Sequence, residues 1–153
     1  MAFGKKRKKY NKPRMMFDSE RIQEENSLIK KYGLKNKKEI WKAEAEIEKL
    51  RNRAKQLITA SEEEQKIFLE KLRKIGLKAE RIADVLALNK EDFLKRRLQS
   101  VLIMKKRVKP REARQLITHK HVKVEDNIIN VPSYLVKIKE EDKIKILKKK
   151  DGN

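Results

Sequence analysis

The stretch Lys109–His121, KPREARQLITHKH, holds six side chains able to carry positive charge (Lys109, Arg111, Arg114, His119, Lys120 and His121) against a single acid, Glu112. Ala113, Leu116 and Ile117 recur at helical spacing, so a helix here has one short apolar stripe to bury. With that stripe inward, Arg111, Arg114, Gln115 and Lys120 fan across the exposed side. Arg96, Arg97, Lys105, Lys106, Arg107 and Lys109 join them from the preceding helix and turn. Phe93 to His121 carries ten Lys and Arg and one acid, so ion pairs within this stretch leave most of the charge unmet. Phosphate is the fitting counterpart: the guanidinium fork binds its oxygens bidentately, while lysine acts as a mobile point charge. That mixture suits backbone recognition over base reading. An ordinary solvated face alternates its signs.

Other chemistries find little support. The chain has no cysteine, which excludes disulfides and cysteine-ligated zinc or iron–sulfur sites and suits a reducing compartment. His119 and His121 form an H-x-H pair without a third or fourth ligand cluster; RNA contact or capping of a helix's carbonyl end fits them better than metal. Gly33 and Gly76 both mark helix ends, leaving no Gly-rich phosphate loop of the nucleotide-binding kind. No Ser/His/Asp arrangement or dedicated acid pair stands out. We therefore expect no catalytic residues, no cofactor, no metal and no enzyme activity. Aromatic residues are only 5% of the chain and occur singly, which argues against a stacking platform for single strands. Folded RNA, read by shape through phosphates and 2′-hydroxyls, fits better. Trp41 and Tyr134 read as core anchors. DNA is not an expected partner, since no zinc finger or basic zipper is visible; a helix-turn-helix over Asp92–His119 is the alternative on that side.

The charge is unevenly spread. The 153 residues carry a formal net charge of +20, which self-repels in an isolated compact chain and is relieved by a polyanion. Met1 to Arg14 has seven bases (Lys5, Lys6, Arg7, Lys8, Lys9, Lys12 and Arg14) and no acid. It has too few apolar residues to offset ordering, so it reads as a polyanion-binding arm, disordered alone. Membrane is not an expected partner: no run approaches the roughly 18 apolar residues of a spanning helix. The N-terminus lacks the apolar region of a signal peptide, and a cytosolic location follows.

The elements that must position these residues are mostly helical. Asp18 caps a helix that ends at Gly33. Asn36, with Glu39 three residues on, caps the next, where Ile40, Ala43, Ile47, Leu50, Ala54 and Leu57 form a stripe suited to packing on neighbouring helices rather than a coiled coil. Ser61–Glu64, SEEE, is a capping box for a helix running through Phe68, Leu72 and Ile75 to Gly76. A short helix holds Ile82, Val85 and Leu86. Asn89 then opens KEDFLKRRLQSVLIMKK, with Phe93 or Leu94, Leu98, Val101 and Leu102 on one face, and Pro110 suits the first position of the basic helix. After His121 the period changes to alternation: Val122 and Val124 form a strand, Glu125–Asn127 a turn, and Ile128–Val131 the return. Pro132 makes a corner or edge. Tyr134, Val136 and Ile138 form a further strand, and Ile144–Leu147 another. The first half is a helical subdomain; the second reads helix, helix, small β-sheet.

From Lys95 to Val136 the text KRRLQSVLIMKKRVKPREARQLITHKHVKVEDNIINVPSYLV resembles the RNA-binding domain of the universal small-subunit ribosomal protein four family, through RRLQ, ARQLI-H-HV-V and N-PSY-V. Upstream, KYGLKNKKEIWKAEAEI, FLEKLRKIGL and DVLALNKEDFLKRRLQ resemble its archaeal and eukaryotic branch. The resemblance implies an α+β fold. It comprises a basic N-terminal extension (1–17), a helical subdomain (18–92), an αβ RNA-binding domain of two helices on a short, mostly antiparallel sheet (93–150), and a tail (151–153). It implies a non-enzymatic cytoplasmic ribosomal protein that grips a multi-helix junction in the 5′ region of small-subunit rRNA early in assembly. Family members lie beside small-subunit protein five, near the channel through which mRNA enters, and influence decoding accuracy; neighbouring ribosomal proteins and mRNA are thus implied partners.

By the same resemblance Arg96, Arg97, Arg111, Arg114, Gln115, His119, Lys120 and His121 are rRNA contacts, while Asn130, Pro132, Ser133 and Tyr134 support the corner after the hairpin. With Lys105, Lys106, Arg107, Lys109, Lys123 and the N-terminal bases they complete the candidate set. The bacterial branch's cysteine zinc knuckle is absent. The chain ends with KILKKKDGN, shorter than many archaeal-type members, so contacts of a long C-terminal extension are not expected. The rival reading is an RNA-directed modification enzyme or its targeting subunit, since pseudouridine synthases and tyrosyl-tRNA synthetases carry a similar RNA-binding module.

Overall fold

The computed structural model describes residues 9–147, so residues 1–8 of the expected basic extension, with Lys5, Lys6, Arg7 and Lys8, and the tail lie outside the described residues. The chain order is α1 (Ser19–Tyr32), α2 (Lys38–Leu57), α3 (Glu62–Ile75), α4 (Ile82–Ala87), α5 (Lys90–Lys95), α6 (Leu98–Lys106), α7 (Pro110–Thr118), β1 (Val122–Val124), β2 (Asn127–Ile128), α8 (Ile138–Glu141) and β3 (Ile144–Ile146). This is the expected α+β fold, a helical half followed by two helices on a three-stranded antiparallel sheet of order β2-β1-β3.

Three apolar clusters hold it together. Ile47, Ala54 and Leu57 of α2 pack with Leu72, Ile82 and Val85 from α3 and α4. Leu28, Tyr32, Ile40, Ala43 and Leu94 join α1, the start of α2, and α5. Leu98, Val101, Leu102, Ala113 and Ile117 of α6 and α7 lie against Val122, Val124, Val136 and Ile144. Strand alternation turns Val122 and Val124 to the helices and leaves Lys123 on the solvent side, directly opposite Lys145.

Several helix ends follow the sequence. The Asp18 carboxylate accepts from the Arg21 N–H at 3.3 Å, Ser61 Oγ from the Glu64 N–H, and Gly33 and Gly76 end α1 and α3 in left-handed geometry. The α2 start differs. Lys37 occupies the cap position without a side-chain bond, and Glu39 instead reaches back to the Lys35 N–H at 3.1 Å. The Asn36 cap is therefore not formed, because Glu39 takes over the turn.

The helix expected to run on from Asn89 is broken at Arg96–Arg97. There the backbone meets the segment after Pro132: the Leu98 N–H donates to the Tyr134 carbonyl, the Val136 N–H to that of Arg96, and Arg97 bridges Leu135. These partners replace the helical bonds that continuation would have made. The expected Tyr134–Ile138 strand shrinks to that one bridge. Val136 stays fully buried, but Ile138 is exposed and opens α8, whose Glu140 carboxylate accepts the Lys137 N–H at 3.3 Å. The hairpin return is likewise shorter, Asn127–Ile128 instead of Ile128–Val131.

Candidate nucleic-acid interface

The basic helix α7 is set by contacts at both ends. Pro110 fills its first turn, and Ala113 and Ile117 are fully buried. At the N-terminal end the buried Gln99 amide donates to the carbonyls of Gly33 and Pro110, at 2.8 and 3.0 Å, joining the end of α1 to the start of α7. At the other end Lys120, in left-handed geometry, donates its N–H to Ile117, and the His121 N–H donates to Leu116. These bonds satisfy the last carbonyls. Arg107 ends α6 in the same left-handed geometry. Two cationic residues thus occupy positions where glycine is cheapest.

The structure divides the ten cations of Phe93–His121 into two groups. Acids outside that stretch neutralise five: Lys95 pairs with Asp92, Arg96 with Glu141, Arg97 and Arg114 with Glu39, and Lys105 with Asp142. Lys106, Arg107, Lys109, Arg111 and Lys120 are exposed and have no acidic partner among the described residues. They line the end of α6, the turn and the outer side of α7. Gln115 and His119 share this exposed side, and His121 is half-buried at its edge. Lys9, Lys12 and Arg14 are exposed near the start of α1. Lys123 lies on the sheet, 3.3 Å from Asp126.

Arg96 and Arg97 correct the expectation of an exposed basic face. Arg97 is only 5% exposed and hydrogen-bonds Glu39. Arg96 donates to the Ile75 carbonyl (2.8 Å), the Val136 carbonyl (2.9 Å) and Glu141 (3.1 Å). Both guanidiniums brace the helical half against the C-terminal half. Arg114 is intermediate: part-exposed, it lies 3.1 Å from Glu39 and donates to Gln99 Oε1.

Glu39 is the centre that the sequence did not disclose. Burial alone raises its pKa, but the hydrogen bond and charge of Arg97, aided by Arg114 and the Lys35 N–H, outweigh it and hold the carboxyl below its ordinary range. Glu25 behaves similarly. Burial pushes it up, and the Trp41 indole N–H, Arg21 and Lys37 bring it lower overall. Lys145, opposite Lys123, was also missed as a candidate, although alternation along Ile144–Ile146 places it there. Like charges facing each other across a strand pair oppose folding unless an anion or acid separates them. Among the described residues no cluster of three or more metal-ligating side chains occurs, and no helix is long and apolar enough to cross a membrane.

The S4 domain family matches residues 96–144, from the α5–α6 break into β3. Nearly the whole chain is similar to archaeal proteins named small ribosomal subunit protein uS4. One, from Methanothermobacter thermautotrophicus, is 42% identical over 147 residues, covering 92% of this chain and 86% of the relative. Another, from Korarchaeum cryptofilum, is 43% identical over 149 residues, covering 94% and 90%. A third, from Thermoplasma acidophilum, is 40% identical over 148 residues, covering 90% and 74%.

Proposed function

Since the chain belongs to the small ribosomal subunit protein uS4 family, we propose that it is a structural, non-enzymatic constituent of the small ribosomal subunit that binds rRNA through α6 and α7. The observation that carries the binding surface is the exposed group Lys106, Arg107, Lys109, Arg111 and Lys120, without acidic partners among the described residues, while Arg96, Arg97 and Arg114 are occupied by the protein. Each phosphate that these cations neutralise releases condensed counterions, which supplies affinity without reading sequence. Gln115, His119 and His121 extend the surface with further hydrogen-bonding side chains. Lys9, Lys12 and Arg14 form a second basic patch; Lys5, Lys6, Arg7 and Lys8, outside the described residues, are further proposed rRNA contacts. Lys105 and Lys123 are secondary contacts, because each already has an acid beside it.

In this reading the protein binds early to a multi-helix junction in the 5′ region of the rRNA. Residues 93–150 grip the junction, and the helical part, 18–92, braces that grip. In the cytoplasmic subunit the protein adjoins protein five and the channel through which mRNA enters, where it influences decoding accuracy. The rigid attachment of α7 to α1 and α2 through Gln99 and Glu39 supports a bracing role for the helical half.

Sedimentation of a cell extract through a sucrose gradient tests the assignment. Stoichiometric comigration with small-subunit rRNA that survives moderate salt is the expected result. Residence chiefly at the top of the gradient would contradict it and indicate an RNA-directed factor instead.

A further inference from the structure

Just before α1, three consecutive large apolar side chains face solvent: Met15 is 75% exposed, Met16 64% and Phe17 94%. Such a run on a soluble surface marks an interaction site more often than chance exposure. Its backbone is fastened. The Arg21 guanidinium donates to the carbonyls of Met15 and Met16, at 2.7 and 3.2 Å, and to Glu25 at 2.7 Å. Asp18 caps the helix immediately after, and upstream the Tyr10 ring lies 6.0 Å from Trp41. Residues 10–17 are therefore held against the helices at both ends, with the apolar side chains presented outward and much of the ordering cost met before any partner arrives.

The surroundings indicate what covers the run. Residues 9–17 contain the exposed cations Lys9, Lys12 and Arg14 and no acid. A second copy of the chain is disfavoured by mutual repulsion at a net charge of +20 each. An aromatic ring just downstream of such cations suits an unpaired base: the ring stacks on the base's face while the upstream ammonium and guanidinium groups take adjoining phosphates. One ring is not a platform, so this is a local contact within recognition otherwise made through phosphates.

We propose that Phe17 stacks on an unpaired base of the same rRNA that α7 grips, with Met15 and Met16 as an apolar collar and Lys12 and Arg14 on the flanking phosphates. The proposal rests on the rRNA-binding reading above.

The test uses the full chain and a 5′-region fragment of small-subunit rRNA, with affinity measured across a salt series and base accessibility probed chemically. The Phe17→Ala variant should bind about 5- to 150-fold more weakly. It should keep the wild-type salt slope and expose one unpaired base that wild type protects. Phe17→Trp should restore both affinity and protection, and Phe17→Leu should not. Because Phe17 is exposed, all three should fold as wild type by circular dichroism. Wild-type affinity and protection in Phe17→Ala would overturn the proposal, as would full rescue by leucine, which cannot stack. Normal RNA binding by Phe17→Ala, with loss of a neighbouring protein from assembled subunits, would also overturn it and assign the run to a protein contact. If Phe17→Ala fails while protections that depend on Lys109 and Arg111 persist, the rRNA-binding reading stands independently. Absence of any wild-type binding would sink both.

Discussion

At the scale of single residues, neighbouring arginines have different tasks. Arg111 is exposed and has no acidic partner among the described residues, so Arg111→Ala should leave stability within about 0.5 kcal/mol while weakening rRNA binding. Arg97→Ala removes a buried partner of Glu39 and should cost about 3 kcal/mol in denaturant unfolding. Equal stability losses in the two variants would refute this division. The Glu39 carboxyl titrates below its ordinary 4.5 in the folded chain, so its ion pairs stabilise fully above that value, and the contribution is lost as pH falls through the lowered folded value. Glu39→Gln should therefore be less stable at neutral pH and show a shallower loss between about pH 5 and the folded value. An unchanged acid limb would show that Glu39 is not the group responsible. The sequence disclosed which side chains are cationic but not which are neutralised. Arg97 and Glu39 are 58 positions apart, and their pairing depends on how α2 meets α5 and the break that follows it, which local spacing does not encode.

At the scale of elements, the basic helix is only as well placed as its supports. Gly33 ends α1 at φ 62°, and an added Cβ would come within 2.6 Å of both the Gln99 amide nitrogen and Pro110 Cβ, and 2.8 Å of the Pro110 carbonyl oxygen. The last of these is backbone at the start of α7, which cannot swing aside. At Gly76 the neighbour is the end of the Arg96 side chain, at 2.7 Å, although φ is 88° there too. Gly33→Ala should therefore destabilise more than Gly76→Ala and also weaken rRNA binding by displacing α7; thermal melts and filter binding of the two variants test the order. Helix stripes, the glycine stops and the Val122–Val124 strand were legible because they follow from local periodicity. The break at Arg96–Arg97 and the loss of the Tyr134–Ile138 strand were not. Both arise where two distant segments satisfy each other's backbone groups, and alternation at Tyr134 and Val136 looks the same in a strand as in a buried corner.

At the scale of the molecule, the positive charge is organised rather than merely abundant. The helical half supplies Glu39, and the C-terminal part supplies Glu141 and Asp142, to occupy the cations nearest the junction between the halves. The cations on the outer side of α6 and α7 have no acidic partner among the described residues, as the proposed contact with an external polyanion requires. The family of the chain was legible because its distinctive residues, from Arg96 through the Pro132 corner, lie in one continuous stretch. Which of its cations remain available for phosphate became evident only from the packing.

The most direct test is rRNA affinity as a function of salt, comparing the wild-type chain with Lys109→Ala/Arg111→Ala. The account predicts a linear fall of log affinity with log salt, and a variant slope shallower by roughly 0.7–0.9 for each phosphate contact removed. Equal slopes in the two proteins, or a wild-type affinity indifferent to salt, would contradict the claim that the unpaired cations of α6 and α7 hold the rRNA by its phosphates.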